Sequence, residues 1–158
     1  MSWRESLPPL SRPLSVLCVS AHGDIAISSD GILYVADYND RRIRKISSGQ
    51  VSVLAGDGNF GTRDGAGDTA EFVDPYRIEV DAGGNVFVMD QADSRVRRIT
   101  PAGIVSTYAG SGVAGFRDGN VSVALFARVW VVSLSTDKGI FISMTRTMGV
   151  SGRSVPAR

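Results

Sequence analysis

The chain has one histidine, His22, and one cysteine, Cys18, in 158 residues. A zinc site or relay needing two imidazoles is therefore excluded within one chain, and no intrachain disulfide can form. Serines are plentiful, but no GxSxG nucleophile elbow occurs. Gly110-Ser-Gly112-Val-Ala-Gly115 has the spacing GxGxxG, yet no helix pattern follows it. Without a helix N-terminus that motif lacks its anion-binding physics and reads as turn chemistry. The carboxylates that remain are Asp37 and Asp90, each ending a short apolar run. They could form a ring of cation ligands near one rim. Alternatively, each accepts turn hydrogen bonds and pairs with Arg42 or Arg95. Their recurrence favours the structural role, because a catalytic site is seldom repeated. No catalytic residue, metal site or cofactor is expected from the chain.

Two other constellations could bind. The basic segments Arg41-Arg42-Ile43-Arg44-Lys45 and Arg95-Val96-Arg97-Arg98 would stack phosphate-gripping side chains on adjacent units. Arg42, Arg44, Arg95 and Arg97 are thus the candidates for RNA. Against this, strand alternation puts Arg44 with Ile46 and Arg97 with Ile99, as expected of stems covering apolar surface. Asp40 and Asp93 lie close by, and the net charge is only +1. The second constellation is a pair of Gly- and Asp-rich loops, 56–72 and 110–126. Each has an Arg-Asp-Gly triplet and a closing Ala-x-Phe. Long ordered loops on a rigid scaffold are where binding collects. Phe60, Arg63 and Asp64 in the first, with Phe116, Arg117 and Asp118 in the second, are the candidate binding residues. Phe72 and Phe126 read as core anchors.

These positions recur because the chain repeats. GILYVAD at 31–37 lies over GNVFVMD at 84–90, and RIRKI at 42–46 over RVRRI at 95–99, both displaced by 53 positions. One residue is then inserted. VSVLAG at 51–56 matches VSTYAG at 105–110 with a displacement of 54, and the two loops follow in register. Each unit reads as four short strands. The first is Ile25 to Ile27 or Ile78 to Val80. The second, Ile32 to Val35 or Val86 to Met89, is apolar enough to be buried on both faces. The third carries the arginines, and the fourth runs to Ala55-Gly56 or Ala109-Gly110. Four strands at this period is the spacing of propeller blades. The predicted fold is all-β: propeller blades of four antiparallel strands, two complete and a partial third. Segment 1–22 contains the last strand of a preceding blade, repeat 1 spans 23–77 and repeat 2 spans 78–131. A partial repeat 3 covers 132–144, and 145–158 forms a disordered tail.

The strings GILYVADYNDRRIRKI, GNVFVMDQADSRVRRITPAG and VSTYAGSGVAGFRDG resemble the NHL repeat family, over about Gly23 to Ile142. The resemblance implies a radial propeller, usually of six blades, used mainly as a platform for protein or RNA. Some fold relatives are enzymes, notably an amidating lyase and gluconolactonase-like hydrolases. The lyase reading needs several histidines, and the hydrolase reading needs groups from several blades. The count of units reads as a piece of a larger propeller, with open blade edges through which the chain could self-associate. Composition fits a turn-rich globular β-protein: 43% hydrophobic, 21% charged and 18 glycines, against an average of roughly 7% glycine. No apolar run approaches the ~20 residues of a membrane-spanning helix, so no membrane partner is expected. The leading expectation is a non-catalytic interaction module with an unidentified protein partner. The alternatives are a piece of a propeller enzyme lacking its catalytic blades, and RNA binding through the Arg strands. The residues do not indicate a compartment.

Overall fold

The computed structural model describes residues 23–115 and Asn120. Segment 1–22, the candidates Phe116, Arg117 and Asp118, the third repeat and the tail lie outside the described residues.

Eight strands form two four-stranded antiparallel sheets, and no helix occurs among the described residues. The first sheet is β1 (Ile25–Ile27), β2 (Leu33–Asp37), β3 (Arg42–Ser47) and β4 (Gln50–Ala55), paired in that order. The second is β5 (Pro75–Val80), β6 (Val86–Asp90), β7 (Arg95–Ile99) and β8 (Val105–Ala109). Each sheet is one blade. β5 begins at Pro75, ahead of the expected Ile78, because Pro75 pairs across a bulge with Asp90. β2 starts one residue later than expected and runs on to Asp37.

Local chemistry sets these hairpins. Ser28 N–H donates to Ile32 O at 2.9 Å and Gly31 N–H to Ser28 O at 2.9 Å, closing the β1–β2 turn. Asp81, Gly84 and Asn85 repeat that pattern in the second blade, at 3.0 Å for both bonds. Between β3 and β4, Ser48 and Gly49 have φ of 50° and 71°, and Ser47 faces Gln50. Two consecutive positive φ values make the tight turn that matches strand twist, and glycine tolerates one of them without strain.

The blades pack on each other through one buried cluster. Ile78, Val86, Val88, Ile99 and Val105 of the second blade meet Ala26, Tyr34, Ala36, Ile43 and Ala55 of the first, with Ala70 and Phe72 of the connecting loop between them. β6 is buried at every position, as its unbroken apolar run requires. The first blade carries a copy of the face that the second blade buries. There, however, Ile25 is 59% exposed where its equivalent Ile78 is 1% exposed, and Ile27 is 65% exposed where its equivalent Val80 is half-buried against the core.

Candidate functional site

The loop 56–74 joins the blades and is held down along its whole length. Gly56 and Asp57 N–H donate to Gly67 and Ala70 O at 2.8 and 2.9 Å, and Phe60 bridges to Phe72. Gly65 exchanges both backbone bonds with Val105, at 3.0 and 2.8 Å, so the loop docks on the edge strand β8 of the next blade. Asp64 reinforces the joint by accepting Thr107 N–H at 2.9 Å.

Arg97 completes it. The residue is fully buried, and it donates to Glu71 O and Arg63 O at 3.0 Å each and to Asp64 Oδ1 at 2.6 Å. Its guanidinium lies 5.2 Å from the centre of the Phe72 ring. A bulge between Val96 and Arg97 aims it there, and the first blade has the same irregularity between Ile43 and Arg44. Arg44 instead pairs with Asp37 at 2.7 Å and with Asp40.

The expected pairing of Asp37 with Arg42 and of Asp90 with Arg95 is corrected. Arg42 is directly opposite Asp37 in the ladder, yet it turns away to Asp40 at 2.7 Å and to the carbonyls of Gly56 and Asp57 at 3.3 and 2.7 Å. Asp37 is left to the diagonal neighbour Arg44. Likewise Arg95 holds Asp93 at 2.8 Å and Ser111 O at 3.5 Å, and Asp90 lies 3.9 Å from Arg97. Arg42 and Arg95 are therefore loop clamps. Gly58 and Gly112 lie against them so closely that an added Cβ would fall 2.8 and 2.6 Å from a guanidinium nitrogen.

Asp90 is buried and accepts Val73 and Asp74 N–H at 2.9 and 2.6 Å. Burial pushes its carboxyl up to about 6, and those two N–H bonds only partly oppose the rise. Asp57, at the start of the loop, is lowered instead by the N–H of Asn59. No three of His, Cys, Asp and Glu come together among the described residues.

The six candidates divide accordingly. Arg63 forms an ion pair with Glu71 at 2.8 Å while its side chain stays 61% exposed, and Asp64 joins the blades. Phe60 is 70% exposed, held out by a loop that is bonded on either side of it. Arg41 lies with its guanidinium 5.8 Å from the Phe60 ring centre, and its N–H closes a turn on Tyr38 O at 3.3 Å. Tyr38 is itself 39% exposed. Tyr38 and Arg41 were not singled out as a loop-rim pair from sequence. The signal was present: the second blade has Gln91 and Ser94 at these positions, and Ala114 in place of Phe60.

No family model matches the chain. Over 92 residues it is 32% identical to Protein SUPPRESSOR OF QUENCHING 1, chloroplastic, of Arabidopsis thaliana, covering 57% of this chain and 8% of that protein. Among solved structures, a protein of unknown function from Bacteroides thetaiotaomicron superposes with a TM-score of 0.65 at 27% identity, over 73% of this chain and 30% of that one. An auxiliary nutrient binding protein from Bacteroides ovatus superposes at 0.63 with 23% identity, over 75% and 33%. These neighbours share the propeller-like blade fold, and the chain spans about a third of their length.

Proposed function

We propose that this chain is a non-catalytic interaction module of the NHL type, contacting another protein through the loop rim of its blades. The observation that carries the reading is the loop 56–74. Its backbone is bonded to both blades, and it presents Phe60 at 70% exposure and Arg63 at 61%. A pre-organised loop with an exposed aromatic and an arginine is the kind of surface that proteins use for partners.

The chemistry of the arginines argues against RNA as the main ligand. Arg42, Arg44, Arg95 and Arg97 each hold a carboxylate, and Arg97 is buried. Phosphate affinity grows with the number of cations free to contact the backbone. An enzyme reading rests on the chain spanning about a third of its solved neighbours, with reacting groups contributed by other blades. The corresponding full-length transcript would then add His, Glu and Asn at blade starts.

Affinity capture from native lysate with the whole chain tests the module. Proteins recovered above an unfolded-chain control, and retained in 0.3 M salt, are the expected result; the salt is chosen to screen loose ionic contacts, since the Debye length falls to roughly 6 Å. Recovery of nothing above that control overturns the reading.

A further inference from the structure

Comparing the two blades position by position separates what the fold requires from what it does not. Asp40 and Asp93, Arg42 and Arg95, Gly56 and Gly110, and Gly58 and Gly112 are the same residue in both. They form the same clamp: an arginine pairs with the aspartate and bonds the loop carbonyls. The backbone around them is also the same. Arg41 and Ser94 have φ of 51° and 54°, and their N–H groups reach the carbonyls of Tyr38 and Gln91 at 3.3 and 3.4 Å. Within this shared frame the first blade carries Tyr38, Arg41 and Phe60 where the second carries Gln91, Ser94 and Ala114. The turn forms with serine, so it does not require arginine in the left-handed region, where side chains other than Asn, Asp and Gly are disfavoured.

We propose that Tyr38, Arg41 and Phe60 form a site on the first blade for an acidic peptide segment that carries an aromatic residue. This rests on the interaction-module reading above and names the chemistry of its partner. Phe60 offers an exposed ring on an anchored loop, which stacks or packs against an apolar side chain at low entropic cost. Arg41 supplies the charge. Arg42, Arg44, Arg63, Arg77, Arg95 and Arg97 each have a carboxylate at ion-pair distance; among the described arginines Arg41 and Arg98 have none, and Arg98 is held by Asn85 Oδ1 at 2.7 Å. Arg41 is half-buried, and its guanidinium lies 5.8 Å from the centre of the exposed Phe60 ring. A carboxylate from a partner would complete this group in the way that Asp40 completes Arg42. A nucleic acid strand fits less well. The second blade has no matching aromatic or arginine to continue a stacking track.

The test uses the whole chain and capped dodecapeptides of Gly and Ser bearing a central Glu-Glu-Trp, Gln-Gln-Trp or Glu-Glu-Ala, with dodecauridylate as the nucleic acid probe. Binding is read by fluorescence anisotropy and mapped by amide shifts. The comparison variant is Tyr38→Gln, Arg41→Ser and Phe60→Ala together, which installs the residues that the second blade uses in the same turn. Should that variant melt early, Phe60→Ala alone takes its place. The Glu-Glu-Trp peptide is expected to bind, to move amides at 38–41 and 57–60, and to lose about tenfold in affinity with the variant or with either altered peptide; a tenfold loss corresponds to about 1.4 kcal/mol. Peptide binding that the variant leaves unchanged overturns this site while the module reading stands. Tighter binding of dodecauridylate, lost in the variant, overturns it in favour of RNA. No peptide binding overturns it too, and the module reading then stands or falls on the capture experiment alone.

Discussion

Arg97 and Arg44 occupy the same position in two blades and differ in what surrounds them. Arg97 is fully buried and bonded to two carbonyls and a carboxylate, while the side chain of Arg44 is 25% exposed. Replacing Arg97 with alanine removes the cation beside buried Asp90 and the donors to Glu71 O and Arg63 O, and a loss of roughly 3–5 kcal/mol is expected, the range for breaking a buried pair. Arg44→Ala should cost about 1 kcal/mol, nearer the range of partly exposed pairs. Urea unfolding of the two variants checks the contrast, and equal losses would contradict it. Asp90 gives a pH signature. Its folded-state pKa, about 6, lies above the ordinary 3.8, so the native chain binds the proton more tightly than the unfolded one. The stability this contributes is fully present below about pH 4 and is lost as pH rises through 6, about 3 kcal/mol at ~1.4 kcal/mol per unit. Asp30 and Asp57 are lowered, so their contributions are present above their ordinary value and fall away at more acid pH. Asp90→Asn should therefore gain about 3 kcal/mol relative to wild type between pH 4 and pH 7, measured by denaturant titration at each pH. A constant difference would show that Asp90 titrates normally.

At the scale of an element, the interblade loop is the part whose order has to be explained, and its glycines do part of that. Gly58 has φ of 93° and sits against the guanidinium of Arg42, while Gly31 has φ of 81° and nothing within 4 Å of an added Cβ. Gly31→Ala should cost about 1 kcal/mol from backbone strain alone. Gly58→Ala carries the same strain and also displaces the clamp. It should raise amide exchange at Gly56 and Asp57 well above that of the Gly31 variant. Equal exchange in the two would remove the clamp from the explanation. The four-strand pattern of each blade was legible because period-2 alternation, turn residues and an unbroken apolar second strand are local signals. The partners of Asp37 and Asp90 were not. Adjacency in the ladder pointed to Arg42 and Arg95, but the loop carbonyls, distant in sequence, draw those arginines away.

For the whole molecule, the exposed face bearing Ile25 and Ile27 is the copy of one that the second blade buries. The chain is expected to self-associate through it, and Ile25→Glu with Ile27→Glu should lower the weight-average mass in analytical ultracentrifugation at matched concentration. An unchanged mass would place any association elsewhere. The sequence by itself determined the blade: four strands, two complete units, their turns and the positions that recur, since these follow from short-range periodicity and backbone preference. Only the tertiary structure decided which recurring residues serve the fold. Arg97, Asp64 and Phe72 are brought together from separate strands and loops, and a string of repeated arginines looks the same in sequence whether its donors face solvent or carbonyls. With those roles assigned by contact, Tyr38, Arg41 and Phe60 stand out among the positions that do not recur as ones whose turn and loop also form with Gln91, Ser94 and Ala114.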